Sequence, residues 1–440
     1  MENQASELLE RIRQQYETSP YPRIPLEDTP KDNFNSLFIH NIVTSYYLRY
    51  QKVIDPKGKV ILDAGCGSGW KALMLAEANP GAKIVGIDIS EESVKLARYR
   101  LERHGFDNVE FHILSIYDLP TLGMEFDYIN NDEVLYLLPD PIAALKVMHS
   151  VLKPEGIIRT NLHNALQRNA YFRAQQFFEQ MGLTESNPGD LEVEIVRETI
   201  KSLKDGVELK LRTWNPNYEG EDGKQAILMN YLLQSDNGFT VPEMFNLLRT
   251  SDLEFMSMVN WRHWEITDLF KEPDDLPVFL GMNLPELAIE QRLHFFNLVN
   301  PCHRLLDFWC GHPIEKSNIS VSEWSDSDWI SGQVHLHPQL LNSKVKENLL
   351  ECIKKQELFR ISNYINLPTI ALVEVESSVA ASLLALWDGG QPIKSIVERW
   401  KKIRPLNFVT LESTTDKEAW QEVKKLLSKL EVFLYVLLEC

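Results

Sequence analysis

The sequence predicts an α/β fold: a doubly wound, mostly parallel sheet followed by a small, mainly helical C-terminal domain. Three observations carry this expectation. A β-branched run, KVILDA (59–64), opens directly into a glycine-rich turn. From residue 58 onward, strand-like and helix-like patterns alternate at short spacing, as crossover units require. After residue 313 the alternation stops, and apolar residues recur at helical spacing instead.

Taken in order, residues 4–17 and 34–51 read as helices. The segment SPYPRIPLEDTP between them cannot be helical throughout, because proline removes a donor and restricts its predecessor. KVILDA is a continuous apolar run of the kind buried on both faces of a parallel sheet. A helix over 70–79 follows the turn, then a strand over 82–88 and a helix over 90–105. Ser90 supplies its N-cap, Glu91 and Glu92 suit the positive helix end, and Gly105 closes it. Strands 109–114 and 126–131, helix 141–152, a turn at LKPEG and strand 156–162 continue the series. Residues 165–182 read as helical, and 184–225, polar and irregular, as a cap over a site. GFTVPEMFNLLRTSDLEFMSMVNW (238–261) reads as a turn, a helix from Val241 and a strand. A helix over 284–298 precedes the closing strand at 304–313. The expected organisation is a helical N-terminal lid (1–57), a sheet domain (58–313) with its cap, a Ser/Asp/Trp-bearing linker (314–332) and an accessory domain (333–440).

Bulk properties narrow the function classes. The 440 residues exceed the size of one core, which rarely grows beyond about 250 to 300 residues. The N-terminus, MENQASELLERIRQQ, has no apolar core of a signal peptide, and no run approaches the roughly 20 apolar residues that cross a bilayer. A cytoplasmic protein without a membrane span is expected. Five scattered cysteines do not suggest a disulfide framework. The net charge of −18 is uneven: residues 1–313 hold 30 Lys+Arg against 46 Asp+Glu, and 314–440 hold 15 against 17. So acidic a body repels a phosphate backbone, so no nucleic-acid partner is expected.

The chemistry-bearing motif is Asp63-Ala64-Gly65-Cys66-Gly67-Ser68-Gly69, placed where the first strand passes into the first helix. Glycines let the chain turn sharply and approach a ligand without a Cβ in the way. NAD enzymes use a related turn, so the glycines alone do not choose the ligand. Asp63, two residues before the first glycine, suits an ammonium group better than a pyrophosphate. Asp88 ends the next strand, where a carboxylate can bind both hydroxyls of a ribose.

VILDAGCGSGW, IVGIDIS, FDYIN and LKPEGIIR resemble the successive motifs of class I S-adenosylmethionine-dependent methyltransferases. YETSPYPRIP (16–25), GFTVPEMFNLLRTSDLEFMSMV (238–259) and LLDFWCGHP (305–313) further resemble a bacterial methyltransferase group often fused to tetratricopeptide repeats, although no such repeat is visible here. The resemblance spans about residues 10–313. It implies a Rossmann-like, seven-stranded methyltransferase sheet with S-adenosyl-L-methionine as cofactor. It also implies that Gly65, Cys66, Gly67 and Gly69 cradle the methionine part, with Asp63 facing its ammonium group. Asp88 would take the ribose, and Ile89 with Ile116 the adenine. Where the family often has an aspartate for the adenine amino group, this chain has Ser115, with Asp118 close by. Asn131 and Tyr21 complete the expected cofactor contacts, Tyr21 with Tyr16 as a lid.

Methyl transfer needs a general base only when the acceptor must lose a proton. The carboxyl ends of the strands nominate His163 as that base, with Asp132 and Tyr136 beside the acceptor. The competing readings are a hydrogen-bonded loop histidine and a helix-capping aspartate. Cys302-His303 and Cys310-x-His312 lack the spacing of a zinc site, and no metal is assigned. The acceptor is expected to present an O or N nucleophile, with a protein or peptide side chain favoured over a small metabolite or lipid-like molecule. A non-catalytic, cofactor-binding regulator is the more distant alternative. The last hundred residues resemble the winged-helix-like regulatory domain appended to some bacterial methyltransferases. With Arg399, Lys401, Lys402 and Arg404 as their main basic cluster, they suit docking or homodimer formation rather than DNA.

Overall fold

The strand β1 (Val60–Ala64) lies in the middle of a sheet, with β2 (Lys83–Asp88) on one side and β4 (Phe126–Asn131) on the other, all parallel. This computed structural model describes residues 2–220, 222–314, 319–369, 371–407 and 409–440. With β3 (Val109–Ile113), β5 (Leu152–Asn164), β7 (Glu254–Met258) and β8 (Leu305–Gly311), the order across the sheet is β3-β2-β1-β4-β5-β8-β7. The expected seven-stranded α/β sheet is therefore present, with a two-residue strand β6 (Gly238–Phe239) added beside β5. β8 runs antiparallel to both its neighbours, so it closes the sheet without a crossover helix.

Alternation along the strands divides the core into two layers. Leu62, Val85, Ile87, Ile129 and Ile158 face one side and pack with α6 (Pro141–Ser150) and α11 (Val241–Thr250). Ile61, Ile84, Tyr128, Ile157 and Trp309 face the other, where α3 (Ile42–Tyr50), α4 (Trp70–Ala78) and α5 (Glu91–Arg103) cover them. The expected single helix over 34–51 is two, α2 (Phe34–His40) and α3. Asn41 breaks it, accepting from Val43 N at 2.9 Å and donating to Ala78 O at 2.7 Å, an N-cap that also anchors α4. The LKPEG turn is absorbed into β5, and the pairing of β4 with β5 shifts register there. An N-terminal helix, α1 (Glu2–Thr18), lies over the carboxyl end of the sheet.

The cap is ordered helix, not the irregular segment its polarity suggests. After α7 (Asn169–Gln180), the helix expected over 165–182, it contains α8 (Asp190–Ser202), α9 (Glu208–Thr213) and α10 (Asp222–Asn230). Phe178, Val193, Val196, Ile200, Ile227 and Tyr231 form a small core of its own. The spacing of Val193, Val196 and Ile200 is helical, a stripe that the surrounding charge conceals. Two further helices, α12 (Val278–Asn283) and α13 (Ile289–Val299), lead to β8.

The C-terminal part departs further from expectation. Residues 314–332 are not a bare connection: they carry α14 (Asp326–Ser331), and Val321 and Trp329 are buried; 315–318 lie outside the described residues. An antiparallel sheet follows from β9 (Gln333–Leu336), α15 (Ser343–Lys355), the short pair β10 (Phe359–Arg360) and β11 (Glu374–Val375), α16 (Ser377–Ala380), β12 (Gln391–Pro392), α17 (Ile393–Ile403), α18 (Asp416–Glu431) and β13 (Val436–Glu439), in the order β12-β9-β13. The helix expected over 416–438 ends at Glu431, because the apolar run after it pairs with β9 as a strand. Phe38, Val43 and Tyr47 belong to the core of this C-terminal part, so α2 and α3 are a shared wall between it and the sheet rather than part of a lid.

Candidate functional site at the carboxyl end of the sheet

The glycine turn sits at the carboxyl end of β1, and the positive φ angles of Gly65 (86°), Gly67 (50°) and Gly69 (81°) are those L side chains rarely adopt. Asp88, at the end of β2, accepts from Gly67 N and from Ser90 N at 2.9 Å each, so both carboxylate oxygens are aimed by backbone. Burial raises the pKa of Asp88 against those two bonds. A cavity opens above this turn. Its wall includes Gly65, Gly67, Asp88, Ile89, Ser115 and Ile116, with Leu9, Ile12 and Tyr16 of α1 as its roof.

Of the residues expected to hold a cofactor, Tyr21, Gly65, Gly67, Asp88, Ile89, Ser115 and Ile116 line this cavity. Cys66 and Asn131 do not; both are buried, Asn131 donating to Ala64 O at 2.9 Å. Gly69 is set by packing, since a Cβ there would stand 2.5 Å from the Ala97 Cα. Asp63 lies beneath the turn rather than on the wall. It accepts from Asn130 Nδ2 at 2.8 Å through one oxygen, while the other has no partner among the described residues. Burial pushes its pKa up to about 7. Such an orphaned carboxylate oxygen next to Gly65 fits a ligand carrying an ammonium group.

A segment between α1 and α2 straps the turn. Ser68 N donates to Tyr21 O at 2.9 Å and Ser68 Oγ to Pro22 O at 2.7 Å. Arg100, buried on α5, donates to Ser68 O, Ile24 O and Pro25 O at 2.7–2.9 Å, tying loop and strap together. Nothing in the sequence singled it out, because its partners are carbonyls.

A second cavity adjoins the first and shares Tyr16, Tyr21 and Glu133 with it. Tyr136, His163, Asn230, Leu233 and Arg304 complete much of its wall. His163, at the end of β5, is 1% exposed. Its Nδ1 meets Asp236 Oδ1 at 2.5 Å, and its Nε2 accepts from Arg304 Nη1 at 3.0 Å. Since a guanidinium only donates, the ring is the tautomer with its proton on Nδ1. Burial lowers the His163 pKa below its ordinary value, against the pull of Asp236. Asp236 is itself fixed by Arg168 Nη2 at 2.9 Å and Gln175 Nε2 at 2.8 Å. The Tyr136 ring stacks on His163 with centroids 3.7 Å apart. Arg304 is also bound by both oxygens of Glu133, at 2.5 and 3.1 Å, and Tyr136 OH donates to Glu133 at 3.2 Å.

Asp132 differs from its expected role. It lines the first cavity, but its carboxylate is already taken by Lys71 at 2.7 Å, Arg159 at 3.3 Å and Asn161 Nδ2 at 2.5 Å. Burial would raise its pKa, but Arg159 and Lys71 outweigh that and hold it well below the usual carboxylate range. A carboxylate so neutralised is a poor proton acceptor. Asp236, Arg168 and Arg304 are the site residues that spacing did not assemble; 73 residues separate Asp236 from its histidine.

Comparison with known proteins agrees with this geometry. Residues 55–220 match the family described as "Methyltransferase domain". An uncharacterized protein of Synechococcus sp. is 28% identical over 77% of this chain and 76% of its own length. A ubiquinone biosynthesis O-methyltransferase of Dinoroseobacter shibae is 36% identical over 30% of this chain and 51% of its own; the chain spans about half the length of the curated methyltransferases it matches. Among solved structures, PKMT2 from Rickettsia typhi shares the fold over 94% of this chain and 76% of that one, with a TM-score of 0.57 at 17% identity. The same protein in complex with AdoHcy gives 0.54 at 18%, over 95% of this chain and 76% of that one. No helix among the described residues is long and apolar enough to cross a membrane. Residues 55–220 of this chain are therefore a methyltransferase domain.

Proposed function

We propose that this chain is an S-adenosyl-L-methionine-dependent methyltransferase acting on an oxygen or nitrogen nucleophile held in the second cavity. One observation carries the reading: two cavities, one over the glycine turn and one over His163, meet at Tyr16, Tyr21 and Glu133. Gly65, Gly67 and the unpartnered Asp63 oxygen would hold the methionine part, Asp88 the ribose, and Ile89, Ser115 and Ile116 the adenine edge. When bound, the cofactor would supply a methyl group activated by its attachment to a sulfonium sulfur. The protein's part is to bring donor and acceptor into line, worth about 7 to 11 kcal/mol of barrier. His163 Nε2 takes the acceptor's proton, while Asp236 holds the ring and stabilises the charge it gains.

The acceptor class favoured is a small molecule. Tyr16 of α1 and Asn230 of α10 line the second cavity together with His163, which gives it the dimensions of a compact acceptor. The ubiquinone biosynthesis relative, which by its name serves a small-molecule pathway, points the same way. Calorimetry with AdoHcy tests the cofactor reading, and Asp88→Ala should weaken binding about tenfold or more through lost charged hydrogen bonds. Unchanged affinity in that variant sinks it. Labelled cofactor incubated with fractionated cell extract tests the acceptor class, and label in the macromolecular fraction would return it to protein side chains.

A further inference from the structure

His163 can act as a base only when its Nε2 lone pair is free, yet Arg304 Nη1 donates into that lone pair at 3.0 Å. Arg304 cannot give up its own proton to resolve this, because a guanidinium stays charged at any working pH. Glu133 outweighs burial and raises the pKa of Arg304 further. The guanidinium must therefore move aside, and something must reward it for moving.

Among the described residues lining the second cavity, the charged side chains are Glu133 and Arg304, with His163 held neutral by burial. Arg304 reaches solvent along 44% of its side chain and Glu133 along 26%, so this pair is the adaptable part of the wall. His163 and Asp236 are fixed, at 2% and 0%. The consequences for acceptors of different charge are opposite. An ammonium group entering the cavity pairs with Glu133, and that turns Arg304 more fully onto His163 and blocks the base. An anion pairs with Arg304 itself, in the forked geometry that guanidinium and carboxylate share, and draws it off Nε2.

We infer that the acceptor is an acid, a compact molecule whose carboxylate lies a few bonds from the hydroxyl or amine to be methylated, and that this carboxylate engages Arg304 and thereby uncovers His163. Glu133 keeps Arg304 on the base until such a molecule arrives. Its own backbone, at a φ of 60°, is held in the left-handed region, a conformation tolerated where a side chain must be aimed. Asn161 Oδ1 accepts from Glu133 N at 2.8 Å and fixes that turn. Tyr16 and Tyr21 line the junction of the two cavities, on the same side of the site as Glu133. This inference rests on the methyltransferase reading with His163 as base.

Three probes of one shape separate the cases: 2-hydroxybenzoate, 2-hydroxybenzamide and 2-hydroxybenzylamine, each titrated into the full chain loaded with AdoHcy. The expected result is that the acid binds about tenfold or more tightly than the other two, the size of one good charged pair. Arg304→Met should erase that preference while leaving AdoHcy affinity within about threefold, since Arg304 is not part of the cofactor wall. Arg304→Lys, which keeps the charge and loses the fork, should retain part of the preference. Tightest binding of the benzylamine, equal or undetectable binding of all three, or an acid preference that survives Arg304→Met overturns the inference. Failure of the wild type to bind AdoHcy is a different result, which overturns the cofactor reading and this inference with it.

Discussion

At Gly67, a Cβ would run into the carbonyl oxygen of Tyr21, and at Gly65 it would stand 2.5 Å from Val134 Cγ2. These two glycines are thus demanded by the protein's own strap and by the strand β4 loop as much as by any ligand. A Gly67→Val variant would disrupt the strap as well as the pocket, so loss of ligand binding in it would not by itself locate the ligand. His163 offers a cleaner test. Its pKa lies below the ordinary 6.5, and the neutral ring is the base, so turnover should be flat near neutral pH and fall on acidification. Asp236 opposes the depression by stabilising the protonated ring. Asp236→Asn should therefore move the acid limb to still lower pH and reduce the plateau by about a hundredfold or more. AdoHcy affinity should hold, because Asp236 does not line the cofactor cavity. A plateau unchanged in rate, or a limb shifted upward, counts against the dyad.

Among elements, α1 and the strap decide access. Leu9, Ile12 and Tyr16 recur at helical spacing and face the first cavity, while Leu8 and Arg11 border a third cavity beside Gln175 and Tyr231. One short amphipathic helix thus roofs the path from solvent to the site. It is attached through a strap that Arg100 holds by two carbonyls, Ile24 O and Pro25 O, while its bond to Ser68 O holds the glycine turn, so α1 can lift without unravelling that turn. Ile12 is 6% exposed, and Ile12→Asn would place an unpaired amide in that apolar contact, costing roughly 1 to 3 kcal/mol of docking. AdoHcy should then dissociate about tenfold faster while the melting of the sheet domain changes little. Stopped-flow release kinetics would show this, and an unchanged off-rate would mean that α1 is a fixed wall.

At the scale of the whole molecule, the C-terminal part is built onto the sheet domain instead of being tethered to it. Thr44 Oγ1 meets His337 Nε2 at 3.0 Å, Asn35 Nδ2 donates to Asn366 Oδ1 at 2.9 Å, and Arg262 stacks over Phe433. Tyr47 OH accepts from Leu438 N at 2.9 Å and lies 3.0 Å from Glu431 Oε1. Cutting the chain after residue 313 would uncover Phe38, Val43 and Tyr47, which are now buried. Such a fragment should aggregate or melt early, contrary to the separable unit that the sequence suggested. Tyr47→Phe gives a milder readout: it leaves a buried amide unpaired, for a loss of about 1 to 3 kcal/mol in the intact chain. A soluble fragment with native cofactor affinity would restore the two-domain description.

The sheet was legible because its information is local. A strand buried on both faces needs a continuous apolar run, and a glycine turn between strand and helix needs residues that tolerate positive φ, so KVILDA and Gly65 to Gly69 announce themselves. Asp88 followed from its position at a strand end, Ile89 and Ser115 from the family resemblance, and the sheet places all three on one cavity wall. The helices of the cap and the early end of α18 were hidden, because polar composition and an apolar strand-like tail each imitate something else over a short window. What no window could hold is pairing between distant charges. Whether Asp132 is a free carboxylate depends on Lys71 and Arg159, and whether His163 is a base depends on Asp236 and Arg304, up to 141 residues away. The same holds for the boundary at 313, where weak local periodicity suggested a linker and burial of Trp329 shows otherwise. The sequence by itself determined the sheet and the place of its site, since strand burial and turn geometry act on neighbouring residues. Only the tertiary structure decided which side chains are neutralised, oriented or covered, because electrostatics and packing act through space.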